Sequence, residues 1–156
     1  MRMRHAILAA VLTCVVALSG KAREAEADTL PGMAGHGWPN HFDTCFGSSW
    51  AMMQNNCGVT RLLIIPVQAR YWGYGSVLAR AAGNGAGGMT NCQGISTWAS
   101  ASGQIADSFT QIVSTSTSQT TQVLSLGGLS VFPGGVAHFE CFVAPTGGRV
   151  FAVDFE

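Results

Sequence analysis

His36, His41 and Asp43 fall close together in Gly35-His36-Gly37-Trp38-Pro39-Asn40-His41-Phe42-Asp43, and two imidazoles with a carboxylate are a ligand set suited to zinc or copper. Histidines five positions apart converge only if the chain bends, and Pro39 supplies a bend between them. His138 is a further candidate ligand. The spacing matches no closed metal-site signature, so the competing reading is solvated histidines on an irregular N-terminal arm. Tyr71, Trp72 and Tyr74 form a second group, interleaved with Gly73 and Gly75. Flat amphipathic rings of this kind stack on sugar faces while neighbouring amides and hydroxyls bond the sugar's own hydroxyls, and the competing reading is burial as core. Trp38, Trp50 and Trp98 fall in stretches that read as loops or strand ends.

The remaining chemistry is sparse. A glycosidase would need two carboxyl groups about 5–9.5 Å apart, and the candidates are Asp43, Asp107, Glu140 and Asp154, each of which also reads as an ordinary surface charge. Gly83-Asn84-Gly85-Ala86-Gly87-Gly88 matches the glycine pattern of dinucleotide sites. Such a site requires a helix directly afterwards to receive phosphate, and Met89-Thr90-Asn91-Cys92 does not start one, so the stretch reads as a flexible loop. There is no Gly-x-Ser-x-Gly elbow and no His-Glu-x-x-His zinc motif. These observations assign no catalytic residue and imply no cofactor.

The start of the chain sets the compartment. Arg2 and Arg4 precede an apolar run from Ala6 to Leu18, and small residues follow at Ser19, Gly20 and Ala22. That order is the layout of a secretory signal, with cleavage expected after Ala22 or after Ala27, and the run is shorter than the roughly 20 residues a membrane span requires. Residues 1–27 are therefore expected to be removed, leaving no membrane span. The remainder carries Arg61, Arg70, Arg80 and Arg149 against Asp28, Asp43, Asp107, Glu140, Asp154 and Glu156, a net charge of −2 with no lysine. A surface without a cationic stripe disfavours nucleic acid and anionic lipid as partners.

Removal of Cys14 with the leader leaves Cys45, Cys57, Cys92 and Cys141, an even number in a chain bound for an oxidising compartment. Two disulfides are expected. Of the three pairings available, Cys45 with Cys57 and Cys92 with Cys141 is the preferred one. None of the spacings is Cys-x2-Cys, which argues against zinc.

The elements that must position these residues read as strands. Val59–Val67 is β-branched and aliphatic, with Pro66 marking an edge or bulge. Tyr71–Ala82, Ile105–Val113 and Thr120–Leu126 are further runs of strand composition. In Ala137–Val143, residues Ala137, Phe139, Cys141 and Val143 share a core face and His138, Glu140 and Phe142 lie opposite. Arg149–Phe155 places Phe151, Val153 and Phe155 on one side, and Pro145-Thr146-Gly147-Gly148 reads as a turn joining these last two strands into a hairpin. A single helical turn is expected over Ser48–Gln54.

The expected fold class is all-β: an antiparallel β-sandwich, jelly-roll or immunoglobulin-like, stapled by two disulfides. Residues 28–58 are expected to form an irregular N-terminal segment that belongs to one domain with the sandwich of 59–156. The expected role is that of a secreted, non-enzymatic module of the envelope or extracellular space, whose partner is a polysaccharide or another envelope protein. The alternatives are a carbohydrate-binding or adhesive module using Tyr71, Trp72 and Tyr74, and a weak hydrolase or metal-dependent enzyme.

Overall fold

The computed structural model describes residues 28–31, 36–38, 44–49, 51–67, 73–100 and 102–156, and for 28–31, His36 and Trp38 it describes the backbone alone. Residues 1–27, read above as a secretory leader, lie outside the described residues. Among the described residues there are twelve strands: β1 (Asp28–Pro31), β2 (His36–Trp38), β3 (Phe46–Ser49), β4 (Met52–Asn55), β5 (Arg61–Val67), β6 (Gly73–Ala82), β7 (Asn91–Ala99), β8 (Ile105–Phe109), β9 (Val113–Ser114), β10 (Gln122–Val131), β11 (Val136–Val143) and β12 (Arg149–Phe155). They form an antiparallel β-sandwich of two sheets. The first has the order β10-β6-β12-β4-β3 with β1 also paired to β12, and the second has the order β2-β5-β11-β7-β8 with β9 also paired to β7.

The core between the sheets follows from alternation along each strand. β11 sends Ala137, Phe139, Cys141 and Val143 inward, as its sequence predicts, and Phe139 is the largest of the fully buried side chains. From the first sheet, Val77, Ala79, Leu126, Leu129, Val150 and Val153 meet them. In β12 the alternation is interrupted: a register shift between Val150 and Ala152 leaves Phe151 without a partner on β6. Val150 and Val153, three apart, therefore both face the core, and Phe151 does not hold the inward place that strict alternation gives it.

Both disulfides join the expected cysteines. Cys45 and Cys57, 12 residues apart, close the base of the β3–β4 hairpin. Cys92 and Cys141, 49 residues apart, sit directly opposite each other on β7 and β11 and point into the core. Each such link restrains the unfolded chain by about 2–4 kcal/mol.

Several sequence expectations are corrected. Ser48–Gln54 is not a helical turn but the turn region of the β3–β4 hairpin. The segment 28–58 is not irregular throughout, because it supplies β1 to β4 to both sheets. β11 and β12 do not form a hairpin: β11 lies in the second sheet between β5 and β7, β12 lies in the first beside β6 and β4, and the Pro145–Gly148 turn carries the chain across the sandwich. Turn chemistry fixes the reversal but not which sheet receives the next strand. The Ile105–Val113 run breaks at Thr110, whose Oγ1 accepts a hydrogen bond from the Gly94 N–H at 2.7 Å.

The glycine-rich loop is tightly built rather than flexible. The Asn84 side-chain oxygen accepts from the N–H groups of Ala86 and Gly88, and its amide nitrogen donates to the carbonyl of Pro145. β7 follows the loop where a nucleotide site needs a helix. Pro66 lies in β5 opposite His138 of β11, and among the described residues β2 pairs β5 from Leu62 to Ile64. Among the described residues no helix is long and apolar enough to cross a membrane.

Candidate functional site

Tyr74 stands near the start of β6, where Val77, Ala79 and Ala81 turn inward and Tyr74, Ser76 and Leu78 turn outward. It pairs with Ser130 on β10. β10 carries a bulge between Ser125 and Gly127, and Gly127 takes φ +92, a conformation that favours glycine. The shift sets Gly128 opposite Ser76, diagonal to Tyr74. A Cβ on Gly128 would fall inside the tyrosine ring, 2.5 Å from Cε2 and closer still to Cζ and Oη. The missing side chain is what lets the ring lie down across the neighbouring strand. The ring remains 77% exposed.

Beyond Val131 the chain crosses to the second sheet through Phe132-Pro133-Gly134-Gly135. The Gly135 N–H donates to the Phe132 carbonyl at 2.9 Å, Pro133 precedes Gly134, and Gly134 takes φ +77: these are the features of a type II turn. The turn rests on β7. Phe132 packs on Trp98 with ring centroids 4.0 Å apart and planes tilted by 32°. A Cβ on Gly135 would lie 2.9 Å from the Thr97 carbonyl and 3.1 Å from the Trp98 Cβ, so a glycine is required for this approach.

Between Tyr74 and this turn is an open groove of about 410 Å³, lined by Gly73, Tyr74, Ser130, Val131, Phe132 and Pro133. None of the six is charged. The groove offers an exposed aromatic face, an apolar wall, and the hydroxyls of Tyr74 and Ser130 as donors and acceptors. Among the described residues its lining holds no carboxylate, imidazole or thiol.

The other candidates are described only in part. Tyr71, Trp72 and Trp50 lie outside the described residues, as do His41 and Asp43. The His36 backbone pairs with Ile64 in β2, at the edge of the second sheet. His138 and Glu140 lie on the outer face of that sheet, with His138 Nε2 3.4 Å from Glu140 Oε1 and Gln93 Nε2 donating to Glu140 Oε2 at 3.1 Å. Among the described residues no three His, Cys, Asp or Glu side chains gather closely enough to hold a metal ion.

Asp154 is not an ordinary surface charge. It is 2% exposed on the first sheet, with Arg80 Nη1 2.6 Å from Oδ2, and neither carboxylate oxygen has a hydrogen-bond partner of good geometry. The short N···O distance marks an ion pair all the same. Trp98, read as a loop or strand-end residue, is the penultimate residue of β7, packed against Phe132.

Of the aromatics singled out in the sequence, Tyr74 lines this groove, and Ser130, Phe132 and Gly128 beside it were not singled out. The Phe-Pro-Gly-Gly segment was the available signal, since it encodes a tight turn with an aromatic at its first position. Its partner Trp98 is 34 positions away, and nothing local links the two.

No protein-family model and no curated protein sequence matches the chain. Among solved structures it is similar to TmCBM61 in complex with beta-1,4-galactotriose, at 12% identity over 84% of this chain and 86% of that one, with a TM-score of 0.42. A likeness at that level assigns neither a ligand nor a site.

Proposed function

We propose that the protein is an exported, non-enzymatic module that binds a neutral glycan in the groove beside Tyr74. The observation that carries this reading is the Tyr74 ring, 77% exposed and laid across Gly128 at the mouth of an uncharged groove. An aromatic face kept in water is costly to solvate and gains by covering the C–H face of a pyranose, while Ser130 and the tyrosine hydroxyl serve the sugar's hydroxyls. The absence of charge from the lining fits an uncharged polysaccharide better than a uronate or sulfated one. Tyr71 and Trp72, which precede Tyr74 in the sequence, are proposed as further glycan-binding residues. Export is the companion proposal: the leader-like N-terminus and the two disulfides support a periplasmic or extracellular setting, where such polymers occur.

The test is affinity electrophoresis of the oxidised protein in gels containing β-glucan, xylan, mannan or galactan, followed by tryptophan fluorescence titration with the matching oligosaccharides. Retardation by at least one polymer is expected, weakened roughly three- to tenfold by Tyr74→Ala and retained by Tyr74→Phe. Free migration in every gel, or a Tyr74→Ala protein retarded like the parent, would overturn the reading.

A further inference from the structure

The outer face of the second sheet is built differently from the groove. Ile105 (76% exposed), Val136 (64%), Phe109 (59%) and Phe142 (38%) spread across β8 and β11, around Asp107 and the half-buried Glu140. These residues share one side because each is in cross-strand register with an outward residue of β7: Phe109 with Ile95, Asp107 with Thr97, Glu140 with Gln93. Ile95 is 9% exposed yet takes no part in the core between the sheets. Its register neighbours are Phe109 on one side and His138 on the other. The face thus carries exposed apolar side chains interspersed with polar ones, Thr97, Gln93 and His138 among them, together with two carboxylates, and its described residues include no arginine or lysine.

We infer that this face docks a protein segment presenting a basic side chain among apolar ones. Charge complementarity selects that occupant over the alternatives. A second copy would bring the same acids together, and antiparallel pairing of β8 with itself about its central residue would set Asp107 against Asp107, which is repulsive. A glycan is poorly served, because the most exposed groups, Ile105 and Val136, are aliphatic and present no flat ring. Glu140 is ready for a cation. Gln93 donates to one oxygen and His138 approaches the other, which orients the carboxylate while leaving lone pairs on both oxygens for an incoming guanidinium or ammonium group. Desolvation by the surrounding apolar side chains strengthens that contact.

The experiment is an NMR titration of the oxidised, isotope-labelled protein with two probe peptides, one of alternating leucine and lysine and one of alternating leucine and glutamate. The lysine peptide is expected to shift the backbone amides of Gln93, Ile95, Phe109 and Glu140, and the glutamate peptide is expected to leave them in place. Asp107→Asn with Glu140→Gln together should weaken the lysine peptide roughly tenfold. Ile105→Ser with Val136→Ser should weaken it as well, whereas Tyr74→Ala should not. Equal binding of both peptides, shifts mapping to another face, or no binding would overturn the inference. Because Tyr74→Ala reads the groove and Glu140→Gln reads this face, each proposal fails on its own variant.

Discussion

Gly128→Ala perturbs the candidate site without replacing any residue that lines it. The added Cβ would sit 2.5 Å from Tyr74 Cε2, well inside the 3.4–4 Å of ordinary contact, so the ring has to lift off β10 by about 1 Å or more. The stability at stake is small. Tyr74 is 77% exposed, so the covered part is about a quarter of a side chain of roughly 200 Å², which corresponds to about 1 kcal/mol at the usual coefficient. Replacing glycine by alanine in a strand returns about 0.4–1 kcal/mol through the unfolded chain. The net change should therefore lie within about 1 kcal/mol of zero.

Glycan affinity should respond more strongly, because a lifted ring no longer presents its face parallel to the groove; a loss of roughly three- to tenfold is expected. Urea unfolding and oligosaccharide titration on the same preparations measure the two effects. If Gly128→Ala binds like the parent, the flat ring is not what holds the sugar. If it unfolds with more than about 2 kcal/mol of lost stability, Tyr74 is a packing residue and the exposure argument fails.

Two further substitutions test how the scaffold is held. Asn55 is fully buried; its amide nitrogen donates to the carbonyls of Val59 and Val143, and its oxygen accepts from the Cys57 N–H. Asn55→Ala should cost about 2–4 kcal/mol in urea unfolding, and Asn55→Asp more, since a carboxylate would face two carbonyl oxygens. Parity of the two variants would refute that account. In the Arg80–Asp154 pair the buried partner is the acid, so Arg80→Ala should destabilise by about 2–3 kcal/mol, less than a fully buried pair because water reaches the 43%-exposed guanidinium, while Asp154→Ala should cost less than Arg80→Ala. The opposite order in thermal or urea unfolding would show that Asp154 is not held by Arg80.

The fold was legible where a strand is both regular and one-sided. β11 shows clean alternation, and the two disulfides followed from even cysteine counting, with the chosen partners proving spatial neighbours. β7 escaped because its inward positions include Cys92, Gly94 and Ser96, small residues that leave no apolar period to detect. Gly94 has to be small: a Cβ there would lie 3.1 Å from Thr110 Cγ2 and 3.2 Å from Phe139 Cε1. The β11–β12 turn misled because Thr146, at φ 43, and Gly147, at φ 109, reverse the chain as a hairpin would. The destination of β12 was decided by β6 and β4, far away in sequence. The site divides in the same way. Tyr74 was readable as an aromatic beside glycines, whereas the Phe132–Trp98 support exists only after the sheets have stacked.

The placement of β12 has a consequence for how the chain comes together. It follows every other described strand in the chain, yet it sits inside the first sheet between β6 and β4 and also pairs with β1, so that Asp28 meets Phe155. That sheet cannot close before Arg149–Phe155 has been made. Until then β4 and β6 lack their shared neighbour, so closure of this layer waits on a pairing distant in sequence. Loss of β12 would therefore part β6 from β4 and β1 rather than fray one edge of the sheet.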